Sequence, residues 1–151
     1  MPINNDKLTT AFKTKGYRIT KQRLIILDVL RNTTTHPTAE EIYNMVKPQI
    51  PNISLGTVYR TLGALEKLGL LQKLVCGKSF SRYDGNVNAH YHAVCLDCGK
   101  VLDVDEPVLN NLEERFLSET GFTIVGHKLE FYGYCKDCSL KEKINTKEIS
   151  T

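Results

Sequence analysis

Apolar positions in the first half of the chain gather into three sets, the last of which recurs strictly at spacings of three and four residues. Leu24, Leu27, Val29 and Leu30 form one such set. Ile42, Tyr43 and Val46 form a second, and Leu55, Val58, Leu62, Leu65 and Leu68 a third. Each set is the inward stripe of an amphipathic helix, and each is preceded by a residue able to cap it. Thr20 caps a helix reaching about Arg31, Thr38-Ala-Glu-Glu41 reads as a capping box, and Ser54 caps the third helix. Gly69 is the expected stop of that third helix. Beyond it, Leu70–Val75 and Ser79–Tyr83 read as short strands around a Gly77-Lys78 turn. Three short helices followed by a hairpin is the order of a winged helix-turn-helix, whose third helix is offered to the major groove.

With the leucine series inward, that helix turns Gly56, Thr57, Tyr59, Arg60 and Thr61 outward. Arg60 can donate two hydrogen bonds to a guanine edge, and Tyr59 can pack on a thymine methyl or bond a phosphate. Arg18, Lys21 and Arg23, near the start of the first long helix, suit contacts with the DNA backbone. The plainer reading makes all of these ordinary solvent-facing side chains.

Past Asp84 the pattern changes. His90-Tyr-His-Ala-Val-Cys-Leu and Lys100-Val-Leu-Asp-Val104 read as strands. Pro107 suits a first helical turn, with Val108, Leu109, Leu112 and Phe116 inward and Gly121 as the stop. Phe122–Tyr134 is apolar and rich in aromatics and reads as a final strand. The expected fold class is α+β: an N-terminal winged helix-turn-helix domain over residues 1–83, a hinge over 84–89, and a small C-terminal α/β dimerisation and metal-binding domain over 90–151. The last residues after Cys138 are polar and read as a frayed tail.

Charge divides the chain in the same place. The overall net charge is +3, but thirteen Lys and Arg face five Asp and Glu through Tyr83, and seven face twelve from Asp84 onward. A basic half and an acidic half suggest nucleic-acid contact in the first and metal or partner chemistry in the second. A hydrophobic content of 41% and a charged content of 25% are those of a soluble globular protein. The N-terminus lacks an apolar signal stretch and no run approaches a membrane span, which places the protein in the cytoplasm, away from membranes.

In that compartment cysteines stay reduced and prefer a metal. Cys95-Leu-Asp-Cys98 and Cys135-Lys-Asp-Cys138 supply four thiolates, the number a closed tetrahedral zinc site needs. The competing reading is one or two redox dithiols or disulfides. Such a zinc would tie the start and end of a domain too small for a large core. Cys76 has no partner in spacing and reads as a small, half-buried apolar residue.

His90 and His92 fall on one side of a strand, since side chains alternate with period two. Such a pair is more often incidental than a ligand. Asp84 alone reads as the first residue of a tight turn with Gly85, Asp103 as a strand-end acid, and His36 as an ordinary residue before a proline.

Several stretches together are more specific. Tyr17-Arg-Ile-Thr-Lys-Gln-Arg23, His36-Pro-Thr-Ala-Glu-Glu-Ile-Tyr43, Ser54-Leu-Gly-Thr-Val-Tyr-Arg-Thr-Leu62, His90-Tyr-His-Ala-Val-Cys-Leu-Asp-Cys-Gly-Lys100 and Gly133-Tyr-Cys-Lys-Asp-Cys138 span the chain from about Lys7 to Cys138. With them the chain resembles the Fur superfamily of metal-dependent transcriptional repressors, and most nearly its peroxide-sensing PerR group.

The resemblance implies a regulatory Fe²⁺ or Mn²⁺ site at His36, Asp84, His90, His92 and Asp103, beside a structural Zn²⁺ at Cys95, Cys98, Cys135 and Cys138. It implies a non-enzymatic homodimer that binds double-stranded operator DNA through Arg18, Thr57, Tyr59, Arg60 and Thr61. Oxidation of a coordinating His, His36 or His90, would release the operator. Iron-sensing members typically carry Glu where this chain has Asp84 and Asp103, which favours the peroxide sensor over an iron-sensing Fur-type repressor of iron uptake. A zinc sensor of the superfamily is a more distant reading. A second C-terminal metal site of the family matches Ala89, Tyr91, Asn110 and His127 here, and only His127 is a strong donor. Tyr59-Arg60-Thr61 looks more like the recognition helix of the iron sensors, which bears on operator sequence. From other classes come a zinc-thiol redox protein and a zinc-ribbon interaction module without DNA contact.

Overall fold

In the computed structural model, which describes residues 5–76, 80–109 and 112–140, the chain divides between Val87 and Asn88 into two units. The first carries α1 (Asn5–Thr14), α2 (Lys21–Arg31), α3 (Ala39–Val46) and α4 (Leu55–Lys67), then β1 (Gln72–Cys76) and β2 (Phe80–Asp84). Local chemistry starts each of the last three helices. Thr20 Oγ1 accepts from Arg23 N at 3.3 Å, and Ser54 Oγ accepts from Thr57 N at 3.1 Å. At Thr38 the capping box is complete: Glu41 N donates to Thr38 Oγ1 at 3.3 Å while Thr38 N donates to Glu41 Oε2 at 2.7 Å.

α4 ends on Gly69, whose φ of +67° a side chain would resist. Gly69 N and Leu70 N donate to the carbonyls of Glu66 and Leu65, both at 2.9 Å, which is the Schellman arrangement. β1 and β2 pair antiparallel from Gln72↔Asp84 to Cys76↔Phe80. The turn expected at Gly77-Lys78 lies outside the described residues.

The core of this unit gathers Phe12, Ile26, Leu27, Leu30, Ile42, Val46, Val58, Leu62 and Leu65, all at 0–1% exposure. Three expectations are corrected. α1 went unpredicted, yet its Leu8 and Phe12 lie one turn apart and belong to the core. Leu55, expected inward, is 36% exposed, because it opens the first turn of α4 beyond the reach of the packed helices. Leu24 is likewise exposed, and Ile26 takes the buried position beside Leu27.

The second unit holds β3 (Tyr91–Cys95), β4 (Val101–Val104), α5 (Leu112–Thr120) and β5 (Glu130–Gly133). The sheet order is β4-β3-β5, with β3 antiparallel to β4 and parallel to β5. Residues 136–140 are helical. The strand expected over Phe122–Tyr134 shrinks to Glu130–Gly133, the only part in register with β3; Phe122 and Val125 are 73% and 100% exposed. The helix expected from Pro107 is observed from Leu112, and no residue of α5 is buried. Phe116, expected inward, is 46% exposed. The side chain of Cys76, Asn110 and the tail beyond Leu140 lie outside the described residues.

Candidate metal centre and nucleic-acid face

Cys95 closes β3 and Cys98 follows in the turn to β4, where Gly99 N donates to Cys95 O at 2.9 Å. Cys135 follows β5, and Cys138 lies on the helical turn after it. Because β5 runs parallel to β3 in the register Cys95↔Gly133, both chain ends reach the same edge of the sheet. The four sulfur atoms lie within 4.8 Å of one another, with Cys98 Sγ and Cys135 Sγ 3.8 Å apart. A tetrahedron built on Zn–S bonds of about 2.3 Å has an edge of about 3.8 Å.

All four thiols are free of disulfides; Cys95 and Cys138 are buried, Cys135 half-buried and Cys98 exposed. Burial opposes ionisation of Cys95, yet backbone N–H groups of Cys135, Cys98 and Asp97 bring its thiol down to about 6. Cys138 is pushed up, first by its hydrogen bond with Asp97 and then by burial and the neighbouring thiols. Four clustered thiols cannot all release protons without a cation among them, so this donor set fits Zn²⁺.

The same sheet carries a second group. His90 precedes β3 and His92 lies within it, and their rings meet edge to face with centroids 4.3 Å apart. β4 faces His92 with Asp103, whose Oδ1 is 3.2 Å from His90 Nε2 and 3.6 Å from His92 Nε2. His90 Nδ1 lies 2.8 Å from the carbonyl of Asn88, which orients the ring with Nε2 toward Asp103. His92 is 1% exposed. Two imidazoles and a carboxylate suit a borderline divalent metal such as Fe²⁺ or Mn²⁺.

Within the first unit, His36 and Asp84 form another pair, with Nε2 and Oδ2 4.0 Å apart and both residues buried. Asp84 ends β2, and its Oδ1 accepts from Asn86 N at 2.7 Å. That hydrogen bond is the turn chemistry expected of Asp84-Gly85. A Cβ on Gly85 would stand 2.6 Å from the Leu30 carbonyl carbon, so only glycine lets the turn pass the end of α2.

His127 has another task. Its Nε2 lies 3.1 Å from Tyr91 Oη and its Nδ1 2.8 Å from Glu113 Oε1, while Leu109 N donates to Tyr91 Oη at 2.6 Å. The His127 ring holds the carboxyl of Glu113 below its usual range.

On the first unit, α4 presents Tyr59 at 47% exposure, with Arg60 exposed and Thr57 half-buried. Thr61 does not join them. It is 3% exposed, because Val58, Thr61, Leu62 and Leu65 share the i, i+3, i+4, i+7 face that packs inward. A polar side chain had placed Thr61 outside, where the helical period puts it in the core. Arg60 Nη2 donates to Thr57 Oγ1 at 3.2 Å, and Tyr59 Oη donates to Glu40 Oε1 at 2.6 Å. The Glu40 partner was not foreseen, since only the packing of α3 on α4 brings the two together. Arg18 is exposed before α2, and its carbonyl accepts from Arg23 Nη1.

The model of the Ferric uptake regulator family matches residues 14–132. The chain belongs to the ferric uptake regulator family. Among curated members of the family, the peroxide-responsive repressor PerR of Staphylococcus aureus (strain USA300) is 44% identical over 126 residues, covering 83% of this chain and 85% of that one. Among solved members, the ferric uptake regulator Fur of Helicobacter pylori, described with three functional metal binding sites, superposes with a TM-score of 0.73. The two are 29% identical, over 89% of this chain and 90% of that one. Fur of Vibrio cholerae, described by rearrangement of its DNA-binding domains, gives 0.67 at 30% identity, over 83% and 98%. The likeness runs through both units and so carries the α+β architecture of the family.

Proposed function

We propose that this protein is a metal-dependent transcriptional repressor that senses peroxide. The observation that carries the reading is its 44% identity to a peroxide-responsive repressor over 83% of the chain. The donor chemistry agrees with it. Cys95, Cys98, Cys135 and Cys138 hold a structural Zn²⁺. His36 and Asp84 of the first unit and His90, His92 and Asp103 of the second complete one regulatory site for Fe²⁺ or Mn²⁺. A ligand set drawn from both sides of residues 84–89 makes that segment a hinge and makes metal binding a clamp on the two domains. The clamped form sets two recognition helices of a homodimer about 34 Å apart, the spacing of successive half-sites on operator DNA. Metal and operator then strengthen each other's binding reciprocally.

A dimer is supported by what the second unit leaves uncovered: Leu102, Phe116, Leu117, Phe122, Val125 and Phe131 are all at least 46% exposed. So much apolar surface on one small unit calls for a partner. DNA contact falls to Tyr59, Arg60 and Thr57 on α4, with Arg18 on the backbone; the buried Thr61 supports the helix from within. Among the described residues no helix is long and apolar enough to cross a membrane. Membership of a family of regulators supports reading the protein as a cytoplasmic regulator and not an enzyme.

Ferrous iron held by His36, Asp84, His90, His92 and Asp103 would supply redox chemistry toward peroxide. In the net change one oxygen of peroxide would replace hydrogen on an imidazole carbon of His36 or His90, and the other would leave as water. The altered ring would be a weaker donor, so that the clamp would open. Mass spectrometry of the iron-loaded protein after peroxide is expected to find a single added oxygen on the peptides holding His36 or His90. Unmodified peptides, with the protein still released from DNA by iron removal, would give the iron-sensing reading instead. That second reading draws on Tyr59-Arg60, which resembles the recognition helix of the iron sensors.

A further inference from the structure

His36 is the one non-glycine residue with positive φ among the described residues, at 49°. Side chains adopt this left-handed region uncommonly, and a residue before proline is biased toward extended backbone. Something must hold His36 there, and β2 supplies it. Arg82 Nη1 donates to the carbonyl of His36 at 3.0 Å. The same nitrogen lies 3.4 Å from Glu41 Oε2, the oxygen that also accepts from Thr38 N in the capping box of α3. Tyr83 N donates to Pro37 O at 3.0 Å, and Thr38 bridges Arg82 in antiparallel register. The Arg82 side chain is only 17% exposed, so the contact is sheltered from water.

Two residues further along the same strand stands Asp84, its Oδ2 4.0 Å from His36 Nε2. Residues two apart on a strand share a face, so β2 presents one carboxylate as a donor and one guanidinium as a brace for the histidine opposite. We infer that Arg82 is a positioning residue of the regulatory metal site. It fixes the His36 backbone in its left-handed turn and so sets the imidazole at the distance from Asp84 that a shared ion requires. Arg82 touches no metal itself. It ties the donor to the start of α3, whose next residue, Glu40, accepts from Tyr59 on the DNA-facing helix. The brace thus connects a metal ligand to the nucleic-acid face through hydrogen bonds within one unit.

The inference rests on the reading of His36 and Asp84 as ligands, and the experiment separates the two. Mn²⁺ affinity of the full-length, zinc-loaded chain is measured by the paramagnetic resonance of free Mn²⁺ for wild type, Arg82→Met, Arg82→Lys and His36→Ala. Zinc per chain and the melting temperature before Mn²⁺ addition are recorded alongside. Arg82→Met is expected to weaken Mn²⁺ binding by about 10-fold or more, the range for residues that orient metal ligands. Arg82→Lys should fall between it and wild type, since a lysine keeps a donor but not the fork. Zinc per chain should stay unchanged. Wild-type Mn²⁺ affinity in Arg82→Met, with His36→Ala impaired, would overturn the positioning role and leave the ligands standing. Unchanged affinity in His36→Ala would overturn both. If Arg82→Met does not fold, Arg82→Lys decides: wild-type Mn²⁺ affinity in it overturns the inference, and a loss at unchanged melting temperature supports it.

Discussion

In the first unit, Phe12, Ile26, Leu27, Ile42, Val46, Val58, Leu62 and Leu65 are wholly withdrawn from water. In the second, the buried apolar side chains among the described residues are Tyr91, Val94 and Val101, together with two cysteines, Cys95 and Cys138. The helices differ in the same way: α4 buries five residues and α5 none. One unit is therefore stabilised by the removal of apolar surface from water, which needs no ligand. The other has a three-stranded sheet with Leu102, Phe131 and Tyr132 still exposed, and on the proposed function it would draw the missing stability from thiolate–metal bonds and a second chain. On the proposed function the division would suit a switch: a DNA-contacting unit that folds by packing, joined to a unit whose integrity is set by metal.

Removing zinc should break this contrast most strongly. Structural zinc in small domains contributes roughly 10 kcal/mol or more of apparent folding free energy. Chelation, or Cys95→Ala, is expected to collapse the amide spectrum of the second unit while leaving that of residues 5–76 dispersed. Cys95 is the severest choice because its sulfur accepts from Cys135 N at 3.3 Å and so joins the two knuckles directly. A second unit that stays folded without zinc would show that its sheet stands on packing after all.

The reverse experiment acts on the first unit. Leu62 is fully buried at the centre of α4. Leu62→Ala should cost about 3 kcal/mol through lost burial and the cavity left behind. Calorimetry should find the first unit destabilised by this amount, with zinc content unchanged. Loss of zinc alongside would mean that the two units fold as one.

Which parts of this arrangement could be read from residues alone follows the same divide. Thr20, Thr38, Ser54 and Gly69 act on neighbours three or four positions away, so helix starts and stops were visible without any tertiary knowledge. The C-x-x-C pairs were equally legible, because zinc chemistry dictates their spacing. Failures came where the outcome depends on packing between distant segments. Thr61 was misread because its hydroxyl suggested solvent while its phase on the helix put it inside. Phe116 was expected inward and Phe122–Tyr134 was read as one strand because they are apolar, but among the described residues nothing covers Phe116 or Phe122. The histidines and aspartates were weak signals singly, and only the family resemblance drew them into one set. Their grouping as His90, His92 and Asp103 follows from strand pairing, which no local pattern reports.

A smaller effect sharpens the view that the first unit is specified locally. Thr38→Ala removes the acceptor of Glu41 N and breaks the capping box, at a cost of about 1 kcal/mol. Thermal unfolding of the first unit should shift accordingly, whereas Thr38→Ser should not move it measurably. If both variants melt as wild type does, the start of α3 is held by Arg82 and Pro37, not by its cap.

The smallest effect probes the contact that His127 makes within the second unit. His127 stands between Tyr91 and Glu113, and its hydrogen bond to Glu113 lowers that carboxyl from its ordinary value of 4.5. A carboxyl lowered in the folded state stabilises it above the ordinary value, and the contribution is lost as pH falls from 4.5 toward the lowered midpoint. Carbon NMR of the Glu113 carboxyl should therefore give a lower midpoint in wild type than in His127→Ala. The energetic gain is small, because the pair lies near the surface and water screens it. Equal midpoints would mean that the imidazole and carboxyl do not pair in solution. A difference would show that His127 joins Glu113 of α5 to Tyr91 of β3 in solution.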